Sequence, residues 1–161
     1  MYILSGKMPA FSTLWENPLF LSALSSFLFA QMIKAAIALT SERKTRLRAA
    51  FHALFWRTGG MPSSHAALVA ALSAQTAISE GVNSNLFVVT LFLALIVMRD
   101  AMGVRRSTGI QAKTLNTLGG KFAEKTGGEY HPVKEVQGHT PLEVVVGSFL
   151  GIIIAAAYSY L

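Results

Sequence analysis

The sequence predicts an all-α, polytopic membrane bundle of about four transmembrane helices plus a short interfacial amphipathic helix. Three observations carry this expectation. Of 161 residues, 52% are hydrophobic and only 14% are charged, against roughly a quarter charged in an average soluble domain. Mean hydropathy is +0.47, more apolar surface than one small core can hide. The apolar runs are separated by segments that hold nearly all the basic residues. This composition excludes a disordered chain and argues against a soluble enzyme. The length suits a single integral membrane domain over 1–161.

The elements follow in order. Residues 1–16 lack the basic region, apolar core and cleavage site of a signal peptide. The first span is expected over 18–39, apolar apart from Gln31 and Lys34. A second, Ala-rich and only moderately hydrophobic, runs over 62–79 and needs shielding by its neighbours. A third covers 84–102 and a fourth 141–161, the latter apolar except for Glu143. A crossing takes about 20 residues, which the first and last supply alone. Basic loops are expected over 40–61 and 103–140. Within the first, Leu47, Ala50, Phe51, Leu54 and Phe55 repeat at helical spacing, the pattern of an interfacial amphipathic helix. Trp56 suits the aromatic belt, and His52 falls on the polar face. Within the second, Leu115, Leu118 and Phe122 suggest a short helix interrupted at Gly119–Gly120. Ala66, Ala70 and Ala74, and likewise Gly147 and Gly151, recur every fourth residue, which lets helix backbones approach. For the glycines two readings stand, a homodimer face or packing within one chain, and packing is preferred.

Charge sets the orientation. Fourteen Lys and Arg face eight Asp and Glu, for a net +6, and all the cations but Lys7 and Lys34 lie in the two basic loops or at Arg99 beside them. With four spans both loops share one side, which the positive-inside rule makes cytoplasmic. Topology thus explains the basic residues without nucleic acid as a partner. The absence of cysteine removes disulfides and thiolate metal sites.

Three segments carry candidate chemistry. In Gly59-Gly60-Met61-Pro62-Ser63-Ser64-His65 the glycines free the backbone, Pro62 suits a first helical position and the serines can cap exposed amides. Such a helix start attracts anions, and His65 in its first turn could give a proton to a phosphoester oxygen. The plainer reading is a well-capped helix with an interfacial His. In Gly138-His139-Thr140-Pro141-Leu142-Glu143, His139 and Glu143 share a helical face. A carboxylate on one ring nitrogen fixes the tautomer and leaves the other nitrogen free for attack. Thr140 and Pro141 equally mark a cap, which accounts for Glu143 but not for His139. In the run from Arg99 to Asn116, Arg105 and Arg106 offer planar forks suited to phosphate. For Arg99 and Asp100, a buried polar network is the expectation, and for Lys113, Lys121 and Lys125 positive-inside anchoring. Lys34 either faces a polar interior or snorkels to the interface. Two histidines, two carboxylates and several cations converge at one membrane level, as phosphoryl transfer requires.

At these residues the sequence resembles the divergent, short membrane branch of the type-2 phosphatidic acid phosphatase and vanadium haloperoxidase superfamily. The resemblance rests on MPSSH at 61–65, RDAMGVRR at 99–106 with Gln111 and Leu115–Asn116, and GHTPLEV at 138–144. It implies a phosphatase that hydrolyses a phosphorylated lipid through a phosphohistidine, without metal or cofactor. His139 would be the nucleophile, Glu143 its orienter and His65 the acid. Ser63 and Ser64 would help to bind phosphate; by placement and not by motif, Lys34, Arg99, Arg105 or Arg106 would stand in for the superfamily's missing cations, with Asp100 and Gly60 as structural supports. The chain departs from the superfamily pattern in having Ser64 for Gly, Glu143 for Asp and Val133 for an Arg. No Arg-Pro pair is present. Those departures sustain a second expectation, a non-catalytic membrane protein that binds phosphorylated lipid or an anion. A third makes His65, His139, Asp100 and Glu143 ligands of a divalent metal.

Overall fold

A computed structural model describes residues 11–41, 60–136 and 138–160. The interfacial helix expected around Leu47–Phe55, with His52 and Trp56, lies outside the described residues, as does nearly all of loop 40–61. A 3-10 turn, Phe11–Glu16, leads into α1, Pro18–Ser41. Then follow α2, Ser64–Glu80, α3, Asn85–Met102, α4, Val104–Thr126, and α5, Pro141–Tyr158. Every regular element described is helical, as the composition requires.

Three stretches are long and apolar enough to cross a membrane. They are Pro18–Leu39 in α1, the run Asn85–Thr126 that contains α3, and α5. At 17 residues, α2 is the exception, and its position explains why it tolerates a weaker apolar sequence. It is the central helix, packed against α5, α1 and α3, with Ala66, Ala67, Ala70 and Ala71 buried. Alanine at these positions keeps the neighbouring backbones close, since helices in lipid associate through close packing and not through the hydrophobic effect.

The α2–α5 contact is the tightest. A Cβ on Gly147 would collide with the Ser63 carbonyl, and one on Gly151 with the Ala67 carbonyl. The glycine pair therefore packs inside one chain, against α2. These contacts make α2 and α5 parallel, with their first turns adjacent. The amide of Ser63 donates to the carbonyl of Glu143 at 2.9 Å, which ties the two helix starts together. Antiparallel to them, α1 places Ser25 within 2.9 Å of the Tyr158 hydroxyl. The far end of α3 reaches α5 through Ala101 and Val144, which bury together with Ala66.

The segment expected as a loop over 103–140 is mostly helix. Gly103 ends α3, and α4 then continues unbroken through Gly119 and Gly120 to Gly127, whose left-handed φ of 69° terminates it. The interruption expected at the two glycines does not occur, because a helical glycine costs only about 1 kcal/mol relative to alanine. Gly119 has a packing role as well: the Tyr130 ring lies across it where any Cβ would stand. From Gly127 the chain returns along α4 in extended form. Val133 lies at Asn116, and Val136 lies against Gly109. Three extended residues and seven helical ones both advance about 10 Å, so this strap stays in register with the helix. Asn116 pins it: its amide nitrogen donates to the Val133 carbonyl and to Glu135, and its oxygen accepts from Tyr130 and the Val133 amide.

Candidate functional site

The strap delivers His139 to the cytoplasmic ends expected for α3 and α5. Gly138 passes so close to Arg106 that a Cβ would overlap its backbone, and the next amide, His139, donates to the Ala101 carbonyl at 3.0 Å. That carbonyl is among the last of α3, a group with no partner inside its own helix. His139 is only 5% exposed.

One turn on, Glu143 serves two purposes at once. Thr140 is the N-cap of α5, Pro141 follows at the first helical position, and a full capping box forms. The Thr140 hydroxyl accepts from the Glu143 amide at 3.4 Å, and Glu143 Oε2 accepts from the Thr140 amide at 3.1 Å. The same Oε2 stands 2.9 Å from His139 Nδ1. The cap reading and the orienting reading therefore coexist in one carboxylate. An ionised carboxylate only accepts, so against it Nδ1 is the donor, and in the neutral ring that tautomer leaves the Nε2 lone pair free. Among the described residues, nothing bonds Nε2.

The start of α2 departs from the expected detail. The helix begins at Ser64, with Ser63 as N-cap, so Pro62 precedes the cap instead of filling the first helical position. The Met61–Pro62 peptide is cis. Gly60 has a φ of 85°, in the left-handed region, which a residue without Cβ enters freely. Ser63 is fully buried, and its hydroxyl accepts from the Ala66 amide at 3.4 Å. Ser64, also buried, accepts from Lys34 Nζ at 3.3 Å. Lys34 is 6% exposed, which decides between its two readings: it faces a polar interior and does not snorkel. A cation there is costly unless paired or solvated by polar groups.

His65, by contrast, is exposed on the first turn of α2, with its ring edge-on to Phe27 at 6.3 Å. Arg105, Lys34, His139 and Asp100 all lie near it. These residues, from four helices and the strap, are brought together as the topology required.

The expected buried network at Arg99 and Asp100 does not form. Arg99 is exposed, and Asp100 pairs with Arg105 Nε at 2.7 Å in a bridge more than a third exposed on both sides. The chain turns at Gly103, which carries Arg105 back over the last turn of α3. Arg106 is exposed where Gly138 crosses its backbone. His65, His139, Asp100 and Glu143 form no cluster able to hold a metal; among the described residues no group of three or more such side chains does.

Sequence reasoning missed the strap and its hub. Asn116 was part of the resemblance but had no role, and Tyr130 was not singled out. Their spacing in sequence carries no helical or strand period, so only the paired glycines hinted that something packs on α4.

With this geometry in place, comparison with known proteins is decisive for ancestry. A family model described as "Divergent PAP2 family" matches residues 15–154. The chain belongs to the Divergent PAP2 family. The match runs from the turn before α1 to the last part of α5, and so includes every candidate residue. The chain is also 39% identical over 153 residues to the uncharacterized membrane protein YuiD of Bacillus subtilis (strain 168), an alignment covering 87% of this chain and 92% of that one. No solved structure matches it. Membership in the Divergent PAP2 family relates the chain to a phosphatase superfamily and agrees with the membrane bundle described above.

Proposed function

We propose that this Divergent PAP2 protein is a phosphatase that hydrolyses a phosphorylated lipid at the cytoplasmic membrane surface. The observation that carries the reading is the buried His139–Glu143 pair, 2.9 Å apart at the start of α5, with Nε2 unbonded among the described residues. His139 Nε2 attacks phosphorus, the ester P–O bond breaks, and His65 donates a proton to the departing alkoxide. Water then attacks the phosphohistidine, returning its proton to His65 and releasing phosphate. Lys34, held at Ser64, supplies fixed positive charge where phosphate oxygens gain negative charge. Arg99, Arg105 and Arg106 supply mobile charge at the rim. The basic residues of α4 and the strap favour the cytoplasmic orientation.

Phosphate release from lipid phosphates in excess chelator tests this. Wild-type turnover that falls ~10²-fold or more in His139→Ala supports it, since positioned acid–base and nucleophilic help has that scale. Equal rates in wild type and variant, or no turnover on any lipid phosphate, would sink it.

A second reading, a non-catalytic protein that binds phosphorylated lipid or an anion, is favoured by one observation. Arg105 Nε is bonded to Asp100, so part of the guanidinium charge that phosphoryl transfer would use is already neutralised, while exposed Arg99 still offers an anion contact. Saturable lipid-phosphate binding that survives loss of His139 but not of Arg99 would favour this second reading.

A further inference from the structure

The lipid-facing side of the bundle is not closed directly below His139. Helices α3 and α5 approach each other only near that end, where Met98 Sδ lies 3.6 Å from the Ser148 hydroxyl oxygen and Ala101 meets Val144. Farther into the membrane they barely touch. The gap between them has α2 for a floor, with Ala70 and Ala74 below, Phe87 and Leu91 on one wall and Ile152 on the other. Its volume is about 250 Å³. Small side chains on α2 create the depth. Small residues at helix interfaces ordinarily bring backbones together, yet beneath this part of α3 the space stays open.

We propose that this groove receives the hydrocarbon chain of the phosphorylated substrate, an inference that rests on the phosphatase reading above. Three observations select that occupant. The lining is almost wholly apolar, with Ser73 and Ser148 as its polar members, and the Ser148 hydroxyl is already bonded to the Val144 carbonyl. Phe87 and Met98 stand eleven residues apart on one helix, so the groove runs about 16 Å at 1.5 Å per residue. That length matches one extended lipid chain, close to half of a ~30 Å hydrocarbon core, and it carries the groove from Met98 almost to the start of α3 at Asn85. Its upper end stops at Met98, one turn below Ala101, whose carbonyl holds the His139 amide.

A chain seated there hangs its head group at the level of the His139–Glu143 pair. Met98 and Met102, partly buried against the Ala66–Ala101–Val144 contact, form the lip between the two, and flexible thioether side chains adapt to a passing chain. A lipid tail is already in hydrocarbon before it enters, so the groove adds little affinity through burial. Its effect is on register: it sets the depth at which the phosphate stops and discriminates chain length by steric fit.

Two measurements test this. Ala74→Phe fills the deep end of the groove, two turns beyond Ala66 and away from His139. In detergent micelles it should lower kcat/KM for hexadecyl phosphate roughly tenfold relative to butyl phosphate, the discrimination a hydrophobic pocket gives for a mismatched chain. Equal losses on both substrates, or no loss on either, would overturn the groove. The second measurement needs neither turnover nor a variant. Wild-type protein is irradiated with hexadecyl phosphate carrying a diazirine at the far end of its chain. Labelling at 70–74 and 87–95 that unlabelled hexadecyl phosphate displaces and hexadecanol does not supports the groove. Labelling spread over the lipid-facing sides of α1 and α5, or displaced equally by hexadecanol, marks ordinary boundary lipid and overturns it. Absence of phosphate release from every substrate refutes the phosphatase while the labelling pattern still decides the groove.

Discussion

His139 Nδ1 and Glu143 Oε2 are 2.9 Å apart, and that same oxygen accepts from the Thr140 amide that opens α5. One carboxylate oxygen thus joins the orientation of an imidazole to the start of a transmembrane helix. Orientation and stability can be separated by choosing which partner to remove. Thr140→Ala deletes the cap hydroxyl and leaves the His139 pair, so it should cost about 1 kcal/mol of stability with phosphate release retained. Glu143→Gln keeps a cap acceptor but no longer favours the Nδ1–H tautomer, so it should lower phosphate release ~10²-fold or more with a smaller stability loss. Unfolding midpoints and release rates on both variants check the separation. Equal activity in the two would show that Glu143 acts as a cap only.

The packing of α2 on α5 yields a paired prediction about glycines. Gly151→Ala places a methyl against the Ala67 carbonyl and the Ala71 amide nitrogen, and a backbone cannot move aside as a flexible side chain can. It should destabilise by roughly 1–3 kcal/mol, the scale of overpacking in a close-packed interior. Gly120→Ala, in the exposed part of α4 with nothing near its missing Cβ, should instead stabilise by about 0.5–1 kcal/mol. Thermal unfolding in one detergent should move the two variants in opposite directions.

Lys34 separates charge from volume. Lys34→Met keeps an unbranched apolar stem and removes the ammonium that donates to Ser64. Fold stability should fall by about 1–3 kcal/mol, because the buried Ser64 hydroxyl loses this donor, so binding is compared on protein shown to be folded. Vanadate or phosphate binding should weaken roughly tenfold or more, the value of a charge-assisted hydrogen bond of ~1.5–3 kcal/mol. Titration of both proteins with vanadate gives the comparison, and unchanged affinity would remove Lys34 from the binding residues.

The strap depends on Asn116, whose side chain makes four hydrogen bonds to Tyr130, Val133 and Glu135. Asn116→Ala should release the segment over 128–136 while α1, α2 and α5 stay packed. Limited proteolysis should then cut that segment several times faster than in wild type, with the global unfolding midpoint little changed. Because the strap carries His139 to Ala101, phosphate release should fall as well.

Much of the fold was legible in the residues themselves. Apolar runs of spanning length mark α1, α3 and α5, because lipid permits only segments that satisfy their own backbone hydrogen bonds. The four-residue spacing of glycine in α5 and alanine in α2 marked close helix contact. His139 and Glu143 were readable as a pair because four residues bring side chains together on any helix. The extent of α4 was not legible, since two adjacent glycines read as a break and their cost is small once the Tyr130 ring covers one of them.

What the sequence determined by itself was therefore local and periodic: a membrane bundle, its basic side, and side-chain pairs within one turn of a helix. Tertiary structure alone decided that Lys34 turns inward to Ser64, and that Asp100 pairs with Arg105 at the surface instead of joining a buried network. It also decided that Gly147 and Gly151 of α5 pack against α2. Each of these turns on distances between residues far apart in the chain, and no period in the sequence records which helix will stand beside which. The low charge content that placed the chain in a membrane does not say where the few charges meet; the crossing of the strap over α3 and the first turns of α2 and α5 does.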